Sequence, residues 1–220
     1  MKKVHVAVAL SIPVFFWGLV ALGIFLFHGC TQHPASPTAT QTSVQTSTQT
    51  AVSPGQPLKA AWSNPEWTKI LSDALDELGG GLLIGYPEGG VCGNRKQFYV
   101  MLISEMARYE SGFKPTATFK EAFPDSKGNP QISAGLLQLS FDDAKNNGAG
   151  CDFKKFEDVL DVKLNLRCGV KILNRWVVRD NKLAEGRDKA TARGGSRYWA
   201  VLRTGAKKDK ILAAARKTCE

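Results

Sequence analysis

The run Leu102–Leu139, LISEMARYESGFKPTATFKEAFPDSKGNPQISAGLLQL, decides how the chain folds. Its first part is helical in pattern. Phe98, Met101, Leu102, Glu105, Met106 and Tyr109 recur at i, i+3, i+4 spacing, which predicts a helix over 95–109. Glu105 on that apolar stripe needs a partner, unless the face is rotated. Ser111-Gly112 then stops the helix just past Glu110. Phe119 to Pro130 reads as a loop. The segment Asp125-Ser126-Lys127-Gly128-Asn129-Pro130 carries strong turn chemistry, which suits a small β-hairpin. A small-residue apolar run follows and enters Gly135-Leu136-Leu137-Gln138-Leu139.

Downstream, Ser140-Phe141-Asp142-Asp143 has the form of a capping box with Asp in place of Glu, so a helix should start there and stop near Gly148. Lys155 to Asp180 reads as mostly helical. Val159, Val162, Leu166, Val170, Leu173 and Val177 form one stripe, and Leu160, Leu164, Cys168 and Ile172 widen it. A stripe that wide predicts a central, buried helix. A helix resumes over Arg197 to Arg203, and a last one runs from Lys207 to Thr218. Upstream, Asn64-Pro65 opens a helix: Asn caps it and Pro fits its first position. Gly79-Gly80-Gly81 ends it. No alternating strand of useful length is legible, so the fold class is mainly α.

Apart from Lys2 and Lys3, the first 58 residues carry no Lys, Arg, Asp or Glu. From Lys59 onward, 27 basic residues face 20 acidic ones. That balance suits an anionic partner such as wall polymer, membrane surface or nucleic acid. Val6 to Phe27 is 22 residues without charge, following a short basic start. This length fits a signal segment or a membrane-spanning anchor. Gly29-Cys30 resembles the end of a bacterial lipobox, which makes Cys30 a lipidation candidate, although Phe27 and His28 depart from that pattern. Lipoprotein, uncleaved anchor and cleaved secretion all place the remaining chain outside the cytoplasm. Residues 31–60 are Thr, Ser, Gln, Ala and Pro with little apolar mass. They read as a disordered linker, which leaves 1–30 as signal or anchor and 61–220 as one folded domain.

Five cysteines match no zinc spacing, and the three histidines all lie upstream of the folded part. With Cys30 set aside, Cys92, Cys151, Cys168 and Cys219 allow three connectivities. The pairing adopted is Cys151 with Cys168, which closes a short loop, and Cys92 with Cys219, which ties the last helix to the start of the central one. Disulfides require an oxidising compartment, in agreement with export.

Glu110 stands at the C-terminal end of an apolar helix, where the helix dipole disfavours negative charge. Tyr109, Phe113 and Leu136 can dry the site. Both effects raise a carboxyl pKa and keep it protonated, as general acid catalysis requires. Glu110-Ser111-Gly112-Phe113, with Pro115 and Ala117 behind it, resembles the E-S-x-F-x-P-x-A motif of the SLT-type lytic transglycosylases, which share their fold with goose-type lysozyme. Gly135-Leu136-Leu137-Gln138-Leu139 is similar to that family's second motif, G-L-M-Q-L/I. Asn165-Leu166-Arg167-Cys168-Gly169 with Ile172-Leu173 resembles its N-[IL]-x-x-G-x-x-[YI]-L helix. The resemblance implies a lysozyme-like domain with a sugar-binding cleft and a peptidoglycan substrate. Glu110 would act as acid and then base, and Ser111 would fix the loop beside it. The Gln138 side chain and the backbone at Leu136 and Leu137 would line the cleft and bind the sugar N-acetyl groups.

Two departures stand out. Where the third motif A-x-A-A-Y-N-x-G is expected, the chain reads Tyr198-Trp199-Ala200-Val201-Leu202-Arg203-Thr204-Gly205. Leu202 and Arg203 replace the Tyr-Asn pair, and Tyr198 can supply the lost contact. Phe119 stands where the family often has Ser. A transglycosylase needs one carboxyl, whereas an inverting lysozyme needs a second to activate water. Glu121, Asp125, Asp142 and Asp143 are candidates for it, and turn or cap roles for the three aspartates favour the transglycosylase. A non-catalytic glycan binder on the same fold is the competing reading. Nucleic-acid binding is set aside, because the chain carries an export signal and no binding motif. No cofactor or metal is implied, and a monomer is expected.

Overall fold

A computed structural model of the chain describes residues 57–79, 94–125, 127–142 and 148–219. The Val6–Phe27 segment, most of the linker, Cys30, Cys92 and Asp143 lie outside the described residues. No helix among the described residues is long and apolar enough to cross a membrane.

Among the described residues the frame is four α-helices. Helix α1, Pro65–Glu77, starts where the sequence indicates. The Asn64 side chain accepts from the backbone N–H groups of Glu66 and Trp67. Helix α2, Arg95–Ser111, is capped by Asn94, which accepts from Gln97 N at 2.9 Å. It runs two residues past Tyr109, so Glu110 belongs to its last turn. Gly112 ends it in a left-handed conformation, φ 61°. Helix α3, Val162–Asp180, buries Leu166, Val170, Ile172, Leu173 and Val177 and is the central helix expected. It begins later than Lys155. Asp158 draws in the N–H groups of Lys154 and Lys155, which makes a separate 3-10 turn over Phe156–Val159. Asp161 then caps α3 through Leu164 N. Helix α4, Ala206–Arg216, continues as a 3-10 turn to Cys219.

Helix α1 packs on α3, and α2 packs on α4. Phe98, Tyr99, Leu102, Met106, Leu166 and Leu173 are fully buried between them. The segment leading to α1 is bound to α2. Lys59 N–H donates to Gln97 Oε1 and Lys59 O accepts from Gln97 Nε2, each at 2.6 Å. Glu105 is partnered, as its place on the stripe requires: it pairs with Arg108 at 2.9 Å.

The β structure exceeds the expectation. Strands β1, Thr118–Pro124, and β2, Pro130–Ala134, form an antiparallel hairpin that β3, Leu139–Ser140, extends to three strands. Asp125 holds the turn by accepting from the backbone of Lys127 and Asn129. A seven-residue strand was illegible because β1 has no buried face: every residue but Glu121 is exposed. Strands β4, Ala184–Glu185, and β5, Arg193–Gly194, form a second small pair. The helix expected over Arg197 to Arg203 is instead two 3-10 turns, Gly195–Arg197 and Ala200–Leu202. Phe141 and Asp142 are helical, as the capping pattern suggested.

Cys151 and Cys168 form a disulfide. Cys219 is disulfide-bonded too; Cys92, the partner expected for it, lies outside the described residues. The fold is mainly helical with a small β-hairpin, the architecture expected of a lysozyme-like domain.

Candidate active site

The end of α2, the hairpin and the 189–203 segment enclose a cleft of about 490 Å³. Glu110 lies in its lining. Glu121 and Phe123 come from β1, Gln131 and Ser133 from β2, and Gln138 from the turn before β3. Trp176, Lys189, Arg197, Tyr198, Trp199, Ala200 and Arg203 supply the rest.

Glu110 is held at the point where the chain reverses. Gly112 and Phe113 both have positive φ, 61° and 64°. Phe113 is kept in that sparse region by packing: Trp62 meets its ring edge-on at 6.2 Å, and the Arg108 guanidinium lies over it at 5.3 Å. Burial pushes the Glu110 carboxyl up from the usual 4.5 to about 7. Lys207 and, more weakly, Arg203 oppose this rise, and the negative charge of Glu121 adds to it. The carboxyl is therefore protonated through the acid range and can give a proton.

Glu121 accepts from Ser133 Oγ at 2.5 Å across the hairpin. Of the carboxylates considered from sequence, it is the one that joins Glu110 in the cleft. Asp125 serves the hairpin turn, and Asp142 lies beside a separate small hollow with Phe141 and Phe156.

The second motif lies in the structure differently from its expected role. Leu136 and Leu137 are fully buried in the core and do not line the cleft. The Leu137 backbone is committed internally: its N–H donates to Asn165 Oδ1 at 3.0 Å, and its carbonyl accepts from Trp199 Nε1 at 2.9 Å. The motif shapes the cleft from behind. Gln138 does line it, at φ 47°. Its amide nitrogen donates to Ala117 O and Gly135 O, so an acceptor oxygen is what it can offer to a ligand. Ser111 is not in the lining. Its hydroxyl donates to Ala107 O, which supports the end of α2 rather than a sugar.

Tyr198 lies in the cleft, and its hydroxyl accepts from Ser140 N at 3.1 Å, tying the 3-10 segment to β3. Trp199 is buried, its ring 4.8 Å from that of Tyr198. Of the two replaced third-motif positions, Leu202 is core and Arg203 reaches the cleft. Sequence reading missed Trp176 and Arg197. The Arg197 guanidinium lies over the Trp176 ring at 5.4 Å and is held bidentately by Asp180. Burial alone would raise the Asp180 carboxyl, but Arg197 and Gly194 N–H hold it below its ordinary value. Two residues at i, i+4 near the end of α3 carried the signal, yet nothing local says that Arg197 folds back onto them. Among the described residues no cluster of His, Cys, Asp and Glu could hold a metal.

None of the curated proteins compared with the chain matches it. The wild-type form 2 structure of Bd0314 DslA superposes with a TM-score of 0.67 at 34% identity, covering 76% of this chain and all of that one. Two glutamate-to-glutamine mutants of that protein match at 33% and 34% with the same score and coverage. Their substituted glutamates stand eleven positions apart, the separation of Glu110 and Glu121 here. The family model described as the transglycosylase SLT domain matches residues 92–201, which span the Glu110 turn, the hairpin, the Gly135–Leu139 run and the 189–203 segment as far as Val201. The chain belongs to the transglycosylase SLT family of glycan-cleaving enzymes.

Proposed function

We propose that the chain is an exported muramidase that cuts the β-1,4 bond between N-acetylmuramic acid and N-acetylglucosamine in peptidoglycan. The observation that carries this reading is Glu110: a carboxyl raised to about 7 by burial, inside a cleft, at the end of an apolar helix. Glu110 protonates the leaving glycosidic oxygen; where the substrate's own 6-hydroxyl is the nucleophile Glu110 also takes that hydroxyl's proton, and where water is the nucleophile Glu121 takes the proton of the water. Tyr198 and Gln138 contact the sugars, and Ser111, Leu136 and Leu137 position the groups that do. Export uses the N-terminal segment. A lipid on Cys30 or the uncleaved Val6–Phe27 span holds the enzyme at the membrane, where it meets glycan strands as a monomer.

With one carboxyl the reaction is that of a lytic transglycosylase, in which the substrate's own 6-hydroxyl closes an anhydro ring. Glu121 favours a second reading, hydrolysis. It faces the same cleft, is fixed by Ser133 and raises the Glu110 pKa through its charge. The eleven-residue spacing of the two glutamates chosen for substitution in Bd0314 DslA supports the same pair. In this reading Glu121 activates the attacking water, and we adopt it. Mass spectrometry of fragments released from purified peptidoglycan tests it. Wild type yields reducing ends, and Glu110→Gln yields about 10²–10⁴-fold less product of any kind. Glu121→Gln loses the reducing-end product. Anhydro ends from wild type, undiminished in Glu121→Gln, restore the one-carboxyl mechanism.

A further inference from the structure

The hairpin carries two large apolar side chains in the open. Phe119 is 60% exposed and Phe123 49%, although burying side chains of this size is favourable. They are not scattered. Phe119 is the cross-strand partner of Ser133, and paired residues share a sheet face. Ser133 lines the cleft and holds Glu121. Phe119 therefore stands on the cleft side of the hairpin, beside the lining and outside the pocket proper. Phe123 is in the lining despite the irregular register between Lys120 and Pro124, and Lys189 from the opposite wall lies over its ring at 5.4 Å. Glu121 falls between the two rings. Four residues of strand set them about 13 Å apart, too far to share one sugar.

We infer that Phe119 and Phe123 form an aromatic rail along the hairpin, on which sugar rings of one glycan strand stack on either side of Glu121. This rests on the reading of the cleft as a glycan site. A pyranose ring has an apolar C–H face, and an aromatic face is partly negative, so the two fit; on Phe123 the sugar takes the ring face that Lys189 does not cover. The surface continues the cleft with no step in the chain, and the same polymer occupies both. The rail takes the strand past the cut, so the enzyme works within chains, and fragments too short to reach Phe119 are held less well.

Binding measured apart from cleavage tests the rail. The full chain carrying Glu110→Gln is sedimented with insoluble peptidoglycan and the retained fraction measured. Adding Phe119→Ala or Phe123→Ala lowers retention about fivefold. Phe119→Trp restores it, whereas Phe119→Leu, which keeps apolar bulk without a π face, does not. Thermal unfolding of each variant is recorded alongside, and the Leu and Trp arms decide the matter if Ala loosens the hairpin. Equal retention of all variants overturns the rail and leaves the muramidase reading intact, as does restoration by Leu as complete as by Trp. Failure of the Glu110→Gln parent itself to bind overturns the glycan reading and the rail with it.

Discussion

Glu110 is the residue whose chemistry is set by its surroundings rather than by its type. Its neutral form is favoured by burial, so a proton is available up to about pH 7. Activity that depends on Glu110 as acid is expected to fall as pH rises through about 7, with Glu121 and Arg203 tuning the midpoint from opposite sides. The same shift has a stability consequence. The unfolded carboxyl ionises near 4.5 and the folded one near 7, so the native state binds more protons between them, and stability falls as pH rises across that window. Glu110→Gln removes this loss. The variant should be more stable than wild type at pH 8, by about 3 kcal/mol, and indistinguishable from it at pH 4. Denaturant melts at the two pH values check this; equal differences at both would place the stabilisation elsewhere. Glu110 was legible because its Ser-Gly-Phe sequel, with Pro115 and Ala117 behind it, resembles a family motif; its place at a helix end alone did not single it out. Glu121 was one candidate among four; turn and cap chemistry marked the three aspartates for other roles, but nothing local places Glu121 in the cleft. That it shares the cleft with Glu110 comes from the way the hairpin is folded against the end of α2.

Among the elements, the Gly135–Leu139 turn and α3 form one unit. Asn165 is fully buried on α3 and reaches three backbone groups: Leu137 N at 3.0 Å, Ala134 O at 3.2 Å and Val159 O at 2.8 Å. It fixes the turn to the helix. Asn165→Leu leaves those groups unpaired in the core and should cost about 3 kcal/mol, read as a lowered urea midpoint. Gly135 belongs to the same joint. At φ 77° it has no room for a side chain, because a Cβ would fall 2.3 Å from Asn165 Nδ2 and 2.4 Å from Val159 O. Gly135→Ala is therefore expected to displace Asn165 and to lower activity and stability together. Gly169, one turn along α3, lets Leu137 lie against the helix. The sequence shows these residues as two separate motifs. That one exists to hold the other becomes visible only when α3 is laid behind the turn. Strand β1 was missed for the opposite reason: it is exposed on nearly every residue, so the alternation that reveals a strand was missing.

At the scale of the molecule, a basic helical frame carries a cleft, and covalent ties hold it. The Cys151–Cys168 disulfide joins the loop before α3 to the helix across a separation of 17 residues. Replacing both with Ser should lower stability by about 3 kcal/mol, and a thermal melt beside wild type measures it. No change would mean that the loop is held by its other contacts, such as Lys171 to Gly150 O. By itself, the sequence determined the mainly helical class, the helix start at Asn64, the helix over 95–109, and Glu110 at a helix end, and it favoured the Cys151–Cys168 pair. Each is a local matter, written in caps, spacing and periodicity over a few turns. The tertiary structure alone decided which groups meet: Glu121 in one cleft with Glu110, Arg197 folded onto Asp180 and Trp176, Trp199 bonded to Leu137, and Leu136 and Leu137 of the second motif in the core while Gln138 lines the cleft. Those meetings join residues tens of positions apart. They are fixed by packing and by the need of buried polar groups for partners, and no stretch of sequence encodes them locally.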